Sequence, residues 1–318
     1  MKTFITGIAG VLGSNLATML VSLGYTVEGC DIIRKDEAWR LQPIFDKIVY
    51  HWKSTIDLNS ELEDAGIIID CGLGSADRPF GYNSPVQTTI GNILPPLSLL
   101  ERVRRMSIKP VMIYPSSFNS LYGHIGAVFV ESTPQLPTSI YGWTKATVEQ
   151  LYTAYSIMYD VPIILTRVGS AYGEKMRSDE LIAKLIIHSL AGKPKFDLRS
   201  PRAERLWTYT EDVLSFYECL LNKLDSCIGK TLHCAGNLGD RVLNNTKIAD
   251  MIIKTTGTHM EIVERDYEPG ETVFGRPVSF TINPDYTRDL INWRPRFSLE
   301  EGIKKTADWF KVNLWRFI

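Results

Sequence analysis

A short strand that runs straight into three evenly spaced glycines and then into a helix constrains this chain more than any other feature. Thr3-Phe4-Ile5-Thr6 reads as the strand, Gly7-Ile8-Ala9-Gly10-Val11-Leu12-Gly13 as the turn, and Leu12 to Leu23 as the helix. A Cβ at such glycines would hold a ligand away, so the spacing predicts backbone N–H groups approaching a pyrophosphate at a helix N-terminus. The next β-branched run ends in Val27-Glu28-Gly29-Cys30-Asp31, with Asp31 standing 18 residues after Gly13. A carboxylate at about that distance accepts ribose hydroxyls and repels a 2′-phosphate, which favours NAD over NADP. Arg34 and Lys35 follow directly and are the cations that would accommodate the extra phosphate.

β-Branched runs continue to alternate with helical stretches: Lys47 to Tyr50, Ile67-Ile68-Ile69, a helix around Leu97 to Arg105, Val111 to Tyr114, a helix from about Tyr141 to Met158, and Pro162 to Thr166. The alternation predicts an α/β fold, a Rossmann-type doubly wound parallel sheet. After Thr166 the pattern turns to helices over Asp179 to Leu190, Glu211 to Leu221, Thr246 to Thr255 and Leu299 to Phe310, separated by Pro- and Gly-containing loops. That shift predicts a smaller C-terminal substrate-binding lobe. The expected division is 1–167 for the NAD-binding domain, with returning segments around 205–235, and mainly 168–318 for the lobe.

Composition narrows the function classes. With 44% hydrophobic and 22% charged residues the 318-residue chain buries a large core, which excludes disordered and coiled-coil classes. Lys+Arg 35 against Asp+Glu 36 leaves a net charge of -1, so no overall field favours nucleic acid or an anionic membrane. Cys30, Cys71, Cys219, Cys227 and Cys234 form no C-x-x-C pair, and His233-Cys234 lacks a second ligand pair, so no metal site is expected. Glycines interrupt the N-terminal apolar stretch and no 18-residue apolar run follows; the expectation is a soluble, cytoplasmic protein.

Ser116-Ser117 closes the fifth strand, and Tyr141-Gly142-Trp143-Thr144-Lys145 opens a helix, placing Tyr141 and Lys145 four apart on one face. A lysine ammonium beside a tyrosine lowers the phenol pKa, which lets Tyr141 exchange a proton with a substrate hydroxyl while hydride moves to or from a nicotinamide. Ser116 or Ser117 would hydrogen-bond the reacting oxygen. Tyr-x-x-x-Lys alone is a weak signal; its position after the Ser-bearing strand gives it weight.

With these residues in place the chain resembles the extended short-chain dehydrogenase/reductase superfamily, in its NAD-dependent nucleotide-sugar epimerase/dehydratase branch. The resemblance covers nearly the whole chain: the Gly7/Gly10/Gly13 turn, Asp31, Asp57-Leu58, Asn92, Ser117, Tyr141 and Lys145, then Arg205-Leu206-Trp207-Thr208-Tyr209-Thr210-Glu211-Asp212 and Asn292-Trp293-Arg294-Pro295. It implies catalysis by Ser117, Tyr141 and Lys145. It implies NAD contacts from Gly7, Gly10, Val11, Leu12, Gly13, Asp31, Asp57, Leu58, Gly72, Leu73, Asn92 and Val168, besides Tyr141 and Lys145. Substrate contacts would come from Ser117, Phe118, Ser170, Arg205 and Arg276, the two arginines gripping a nucleotide diphosphate. A homodimer formed through the long helices is implied as well.

Three departures from the family pattern stand out. Asp70-Cys71-Gly72 replaces the usual H-x-A-A turn; Ser116 to Gly123 is one residue longer than S-S-x-x-V-Y-G; and Ser170 replaces an Asn. Aligned on Tyr122-Gly123, Phe118 would hold the catalytic hydroxyl position, whereas alignment on the strand selects Ser117. The resulting expectation is an NAD-dependent nucleotide-sugar epimerase that works through a C4 keto intermediate. A 4,6-dehydratase would need an Asp-Glu pair where Phe118 and Asn119 stand. A plain dehydrogenase or ketoreductase would have no use for Arg205 and Arg276, and a redox-inert scaffold no use for Tyr141 and Lys145.

Overall fold

The protein is described by a computed structural model over residues 1–73, 83–121, 123, 128–236, 243–265 and 281–318. Elements are numbered along the chain. It divides into two compact units, the first comprising Met1–Gly123, Glu131–Arg167 and Leu220–His233.

The first unit is built on a seven-strand parallel sheet: β1 (Lys2–Thr6), β2 (Thr26–Asp31), β3 (Ile48–Trp52), β4 (Ile67–Asp70), β5 (Val111–Ser117), β7 (Ile163–Val168) and β12 (Thr231–Cys234). Their spatial order, β12-β7-β5-β4-β1-β2-β3, reverses direction between β1 and β4. Ligands bind at such a switch point, beyond the carboxyl ends of the strands. β1 lies between β2 and β4, with Thr6 in register with Cys30 on one side and Asp70 on the other. Ile67, Ile68 and Ile69 are wholly buried, as a strand covered on both faces requires. The helices are α1 (Val11–Ser22), α2 (Pro85–Arg104), α3 (Ile140–Tyr159) and the short α6 (Leu224–Cys227). Their core packs Phe4, Leu99, Leu100, Val103, Val148 and Tyr152 together.

α2 starts twelve residues before the stretch that periodicity picks out, because Pro95 and Pro96 lie inside it. Proline removes the N–H that would bond the carbonyl four residues back, so a pair of them reads as a helix boundary. Here the helix continues through them. α3 begins at Ser139, whose hydroxyl accepts from the Gly142 N–H at 3.0 Å, and ends at Asp160 in the left-handed region with φ of 52°.

The second unit comprises His124–Val130, Val168–Cys219 and Cys234–Ile318. It holds the two-stranded pairs β6 (Val128–Phe129) with β15 (Thr281–Ile282), β8 (Ser170–Tyr172) with β11 (Trp207–Tyr209), β9 (Lys195–Arg199) with β14 (Glu261–Arg265), and β10 (Glu204–Arg205) with β13 (Leu243–Asn244). Its helices are α4 (Leu181–Leu190), α5 (Thr210–Leu221), α7 (Asn245–Thr256), α8 (Asp285–Ile291) and α9 (Leu299–Asn313). Residues 205–219 fall in this unit, so the return to the first is made by Leu220–His233 rather than from about 205. The pairing of Trp207 with Ser170 holds the earlier segment. Trp293 is buried against Phe216, and its indole N–H donates to Ser215 Oγ at 3.0 Å. Among the described residues no helix is long and apolar enough to cross a membrane, and no group of three or more His, Cys, Asp or Glu is arranged to hold a metal ion.

Candidate active site

β1 delivers the chain to Gly7 at φ of 62°, a backbone state costly for any residue with a side chain. A Cβ there would lie 2.8 Å from the Cys71 carbonyl oxygen and 2.9 Å from Gly72 Cα, so the turn meets the segment after β4 backbone to backbone. A Cβ on Gly13 would overlap the Gly7 carbonyl, so α1 starts directly on the turn. Gly10 caps α1 without a side-chain hydrogen bond, and the first turn holds no acidic residue. The leading amides of Val11, Leu12 and Gly13 therefore keep their capacity to bind an anion at the positive end of the helix dipole.

Asp31 ends β2 beside this turn. Its Oδ2 accepts from the Ala9 N–H at 2.9 Å and its Oδ1 from the Ile33 N–H at 3.1 Å, leaving each oxygen a lone pair for a hydroxyl. Burial raises its carboxyl above the usual range, with the backbone donors pulling the other way. Arg34 lies over the Trp52 ring at 5.6 Å and pairs with Asp36 at 3.2 Å, both exposed contacts. An open helix start, close-packed glycines and a terminal carboxylate together fit a dinucleotide with unmodified ribose.

The other residues implicated as cofactor contacts lie on several elements. Gly72 donates its N–H to Thr6 Oγ1 at 3.0 Å, and Leu73 is exposed. Asp57 is exposed at the end of a 3₁₀ turn capped by Ser54, while the Leu58 side chain is wholly buried in the core and leaves only its backbone for a ligand. Asn92 Nδ2 donates to Thr144 Oγ1 at 3.1 Å, joining α2 to α3 one residue before Lys145. Val168 is buried at the end of β7.

Ser117 is the last residue of β5 and half-buried; Ser116, facing the opposite side of the strand, has a buried hydroxyl without a hydrogen-bond partner. Phe118 is 3% exposed, its ring edge-on to His233 at 5.1 Å, so this position is filled by core packing. The additional residue after Ser117 falls where the chain makes a 3₁₀ turn, Phe118–Leu121, in which Ser120 Oγ donates to the Ser117 carbonyl at 2.9 Å. Lys145 is 7% exposed; its Nζ donates to the Pro115 carbonyl at 3.1 Å and lies 4.7 Å from the centroid of the Tyr114 ring. Tyr141 precedes it by one turn of α3 and is half-buried. The helix thus sets Tyr141 and Lys145 beside the end of the serine-bearing strand.

Two buried clusters escaped the motif reading. Asp70 accepts from the Thr6 hydroxyl at 2.5 Å and from the Tyr152 hydroxyl at 2.7 Å. Glu149 is gripped by Arg167, whose Nη2 approaches Oε2 to 2.8 Å, and by Gln135 at 2.6 Å. Sequence held a signal for the second: Glu149 follows Lys145 by four, extending the Tyr141-Lys145 stripe.

In the second unit, the Ser170 N–H donates to the Leu206 carbonyl at 3.1 Å, which brings Ser170 beside the strand that carries Arg205. The Arg205 guanidinium lies 5.9 Å from the Trp207 ring centroid. Arg276 lies outside the described residues.

The glycine turn, the ribose-type carboxylate and the Tyr-Lys helix coincide with a match of residues 3–235 to the NAD dependent epimerase/dehydratase family. The chain belongs to that family. It is an enzyme of the epimerase/dehydratase type whose cofactor is NAD. It is 25% identical to the dTDP-glucose 4,6-dehydratase of Xanthomonas campestris pv. campestris over 97% of this chain and 93% of that one. It is 27% identical to the uncharacterized UDP-glucose epimerase YtcB of Bacillus subtilis over 95% of this chain and 96% of that one. Its fold matches the UDP-glucuronic acid 4-epimerase of Bacillus cereus with a TM-score of 0.85 at 22% identity, covering 98% of this chain and 100% of that one. Family members on both sides of the epimerase/dehydratase division thus resemble this chain almost end to end.

Proposed function

We propose that this member of the family is an NAD-dependent nucleotide-sugar 4-epimerase, with Tyr141, Lys145 and Ser117 as its proton-transfer and hydrogen-bonding groups. One observation carries the choice over a dehydratase: the residue after Ser117 is a phenyl ring packed on His233, and the next is Asn119, so neither offers a carboxyl group for expelling water.

NAD, when bound, takes up hydride from the sugar and gives it back, which leaves the chain itself a proton to move twice. Tyr141 is the group that accepts the proton of the sugar C4 hydroxyl and later restores it. The Lys145 ammonium, one turn away, favours the phenolate over the phenol. Ser117 donates its hydroxyl to the same reacting oxygen. A keto-sugar that must turn over between the two transfers needs a remote grip, and Arg205 is suited to it: among the described residues no carboxylate is paired with its guanidinium, which can fork onto a diphosphate. The reading includes a homodimer, because α2 exposes Val86, Ile90 and Leu94 at a spacing of four, an apolar stripe suited to a second copy.

The test incubates purified protein, without added NAD, with UDP-, dTDP-, GDP- and CDP-sugars and follows the products by mass spectrometry and NMR. An epimer of unchanged mass is the expected product, and Arg205→Ala should raise its KM about 10- to 100-fold, as for a lost charge-assisted contact. A product lighter by one water assigns the dehydratase reading instead. Stoichiometric reduced cofactor formed with a small alcohol assigns a dehydrogenase.

A further inference from the structure

The register of β5 with β4 ends at Ile113, opposite Ile69, and Tyr114 to Ser117 run on past it. Three side chains hold this strand end by its carbonyl oxygens. Thr166 Oγ1 donates to that of Tyr114 at 3.4 Å, Lys145 Nζ to that of Pro115 at 3.1 Å, and Ser120 Oγ to that of Ser117 at 2.9 Å. Ser117 is the residue read as donating to the reacting oxygen, so the hold on its own carbonyl bears most directly on where its hydroxyl points.

Ser120 is wholly buried in the 3₁₀ turn Phe118–Leu121, where the additional residue after Ser117 falls. A hydroxyl has one proton to give, and here it is shared: the Ser117 carbonyl lies at 2.9 Å and Glu149 Oε1 farther off at 3.4 Å. Glu149 is a fixed neighbour. Arg167 donates to both of its oxygens, from Nε at 3.2 and 3.1 Å and from Nη2 at 2.8 Å, and Gln135 adds a bond at 2.6 Å. Through Nη1, Arg167 also donates to the Glu131 carbonyl at 3.0 Å. Both charged side chains are buried, so neither can leave the other without a large desolvation cost. Glu149 stands on the same stripe of α3 as Tyr141 and Lys145, at a spacing of four. One helix therefore holds the end of β5 at two carbonyls two residues apart, Pro115 through Lys145 and Ser117 through the hydroxyl that sits against Glu149.

We propose that Ser120 is a positioning residue of the active site: its hydroxyl ties the Ser117 carbonyl to the Glu149–Arg167 pair and so sets the Ser117 hydroxyl relative to Tyr141 on the same helix. The inference rests on the reading of Ser117 and Tyr141 as groups that act on one oxygen, and deepens it.

The test is a double-mutant cycle on the NAD-loaded protein: wild type, Ser120→Ala, Ser117→Ala and the two combined. Each is given UDP-glucose and dTDP-glucose, and any converted sugar is counted, whether epimerised or dehydrated. Ser120→Ala should lower kcat about tenfold while KM and NAD affinity stay within about twofold. On the Ser117→Ala background the same change should have no further effect, because the group it positions is gone. Ser120→Thr, which restores the hydroxyl, should recover kcat even where its methyl lowers the melting temperature. Ser120→Cys, a weak donor of similar volume, takes the place of the alanine variant if that one does not fold. Losses that multiply, or a lower melting temperature with kcat unchanged, overturn the proposal. Where neither sugar is converted, or Ser117→Ala keeps full kcat, the result counts against the catalytic reading, and crystal structures of the NAD-loaded wild type and Ser120 variant decide the proposal. A Ser117 side chain in the same rotamer in both overturns it; a displaced one upholds it.

Discussion

Tyr141 and Lys145 stand one turn apart on α3, and only the phenol hydroxyl of Tyr141 is assigned a proton to move. Tyr141→Phe deletes that oxygen and almost no volume, so NAD affinity measured by calorimetry should stay within about twofold while kcat falls by about 100-fold or more. Retained turnover would remove Tyr141 from the mechanism. His233 makes a second residue-scale prediction. Burial, helped by the Arg167 charge, pushes its imidazole down to about 3, although Glu131 comes within 3.9 Å of Nδ1. The folded pKa lies below the ordinary value, so under acid conditions the unfolded chain binds a proton that the native state refuses. Stability should therefore fall as the pH drops from about 6.5 towards 3, at about 1.4 kcal/mol per unit from this group. The His233 ring resonances should not titrate between about pH 8 and pH 4; a midpoint near the ordinary value would refute the burial argument. At this scale, spacing along the chain could single out candidates: the glycines, Asp31 and Tyr141-Lys145. Asp70 and Tyr152 were not among them, because they lie 82 residues apart and meet only when β4 and α3 pack.

Helix starts decide more than helix existence. α3 is capped by Ser139 on the Gly142 N–H, and α9 by a full capping box in which Ser298 Oγ accepts from the Glu301 N–H at 3.3 Å and Glu301 accepts from the Ser298 N–H at 2.8 Å. Either cap lost to Ala should cost about 1 kcal/mol by denaturant unfolding. Only Ser139→Ala should lower kcat, because Tyr141 sits in the first turn that Ser139 orders; Ser298→Ala should leave kcat unchanged. Equal kcat in the two variants would mean that the first turn of α3 is held by its packing and not by its cap. The same elements explain what sequence conveyed. The core of α3 was readable from its apolar period, whereas its Ser139 cap came only with the structure. The first half of α2 was hidden by Pro95-Pro96, a breaker signal that tertiary packing of Asn92, Pro96 and Leu99 overrides.

At the scale of the whole molecule, the chain leaves the sheet unit after Arg167 and returns to it at Leu220. The sheet itself was legible, because its β-branched runs are short and helical stretches such as α1, α2 and α3 are interleaved with them. The cofactor choice then follows from one strand end acting on the stability of the entire fold. A ligand that binds only the native state stabilises it by RT ln(1 + [L]/Kd), about 2.7 kcal/mol at 100 times Kd. Both oxygens of Asp31 are oriented by backbone N–H groups of Ala9 and Ile33, so the carboxylate cannot swing away from a 2′-phosphate without breaking them. Arg34 lies against Trp52 and Asp36. NAD should therefore bind at least about tenfold more tightly than NADP, a difference of about 1.4 kcal/mol, and at equal concentrations should raise the melting temperature further. Asp31→Asn should narrow the gap by removing the repulsion while keeping the hydrogen-bonding shape. Equal melting shifts with the two cofactors in the wild type would show that the charge of Asp31 is not felt at the ribose, and Arg34 would become the residue to change.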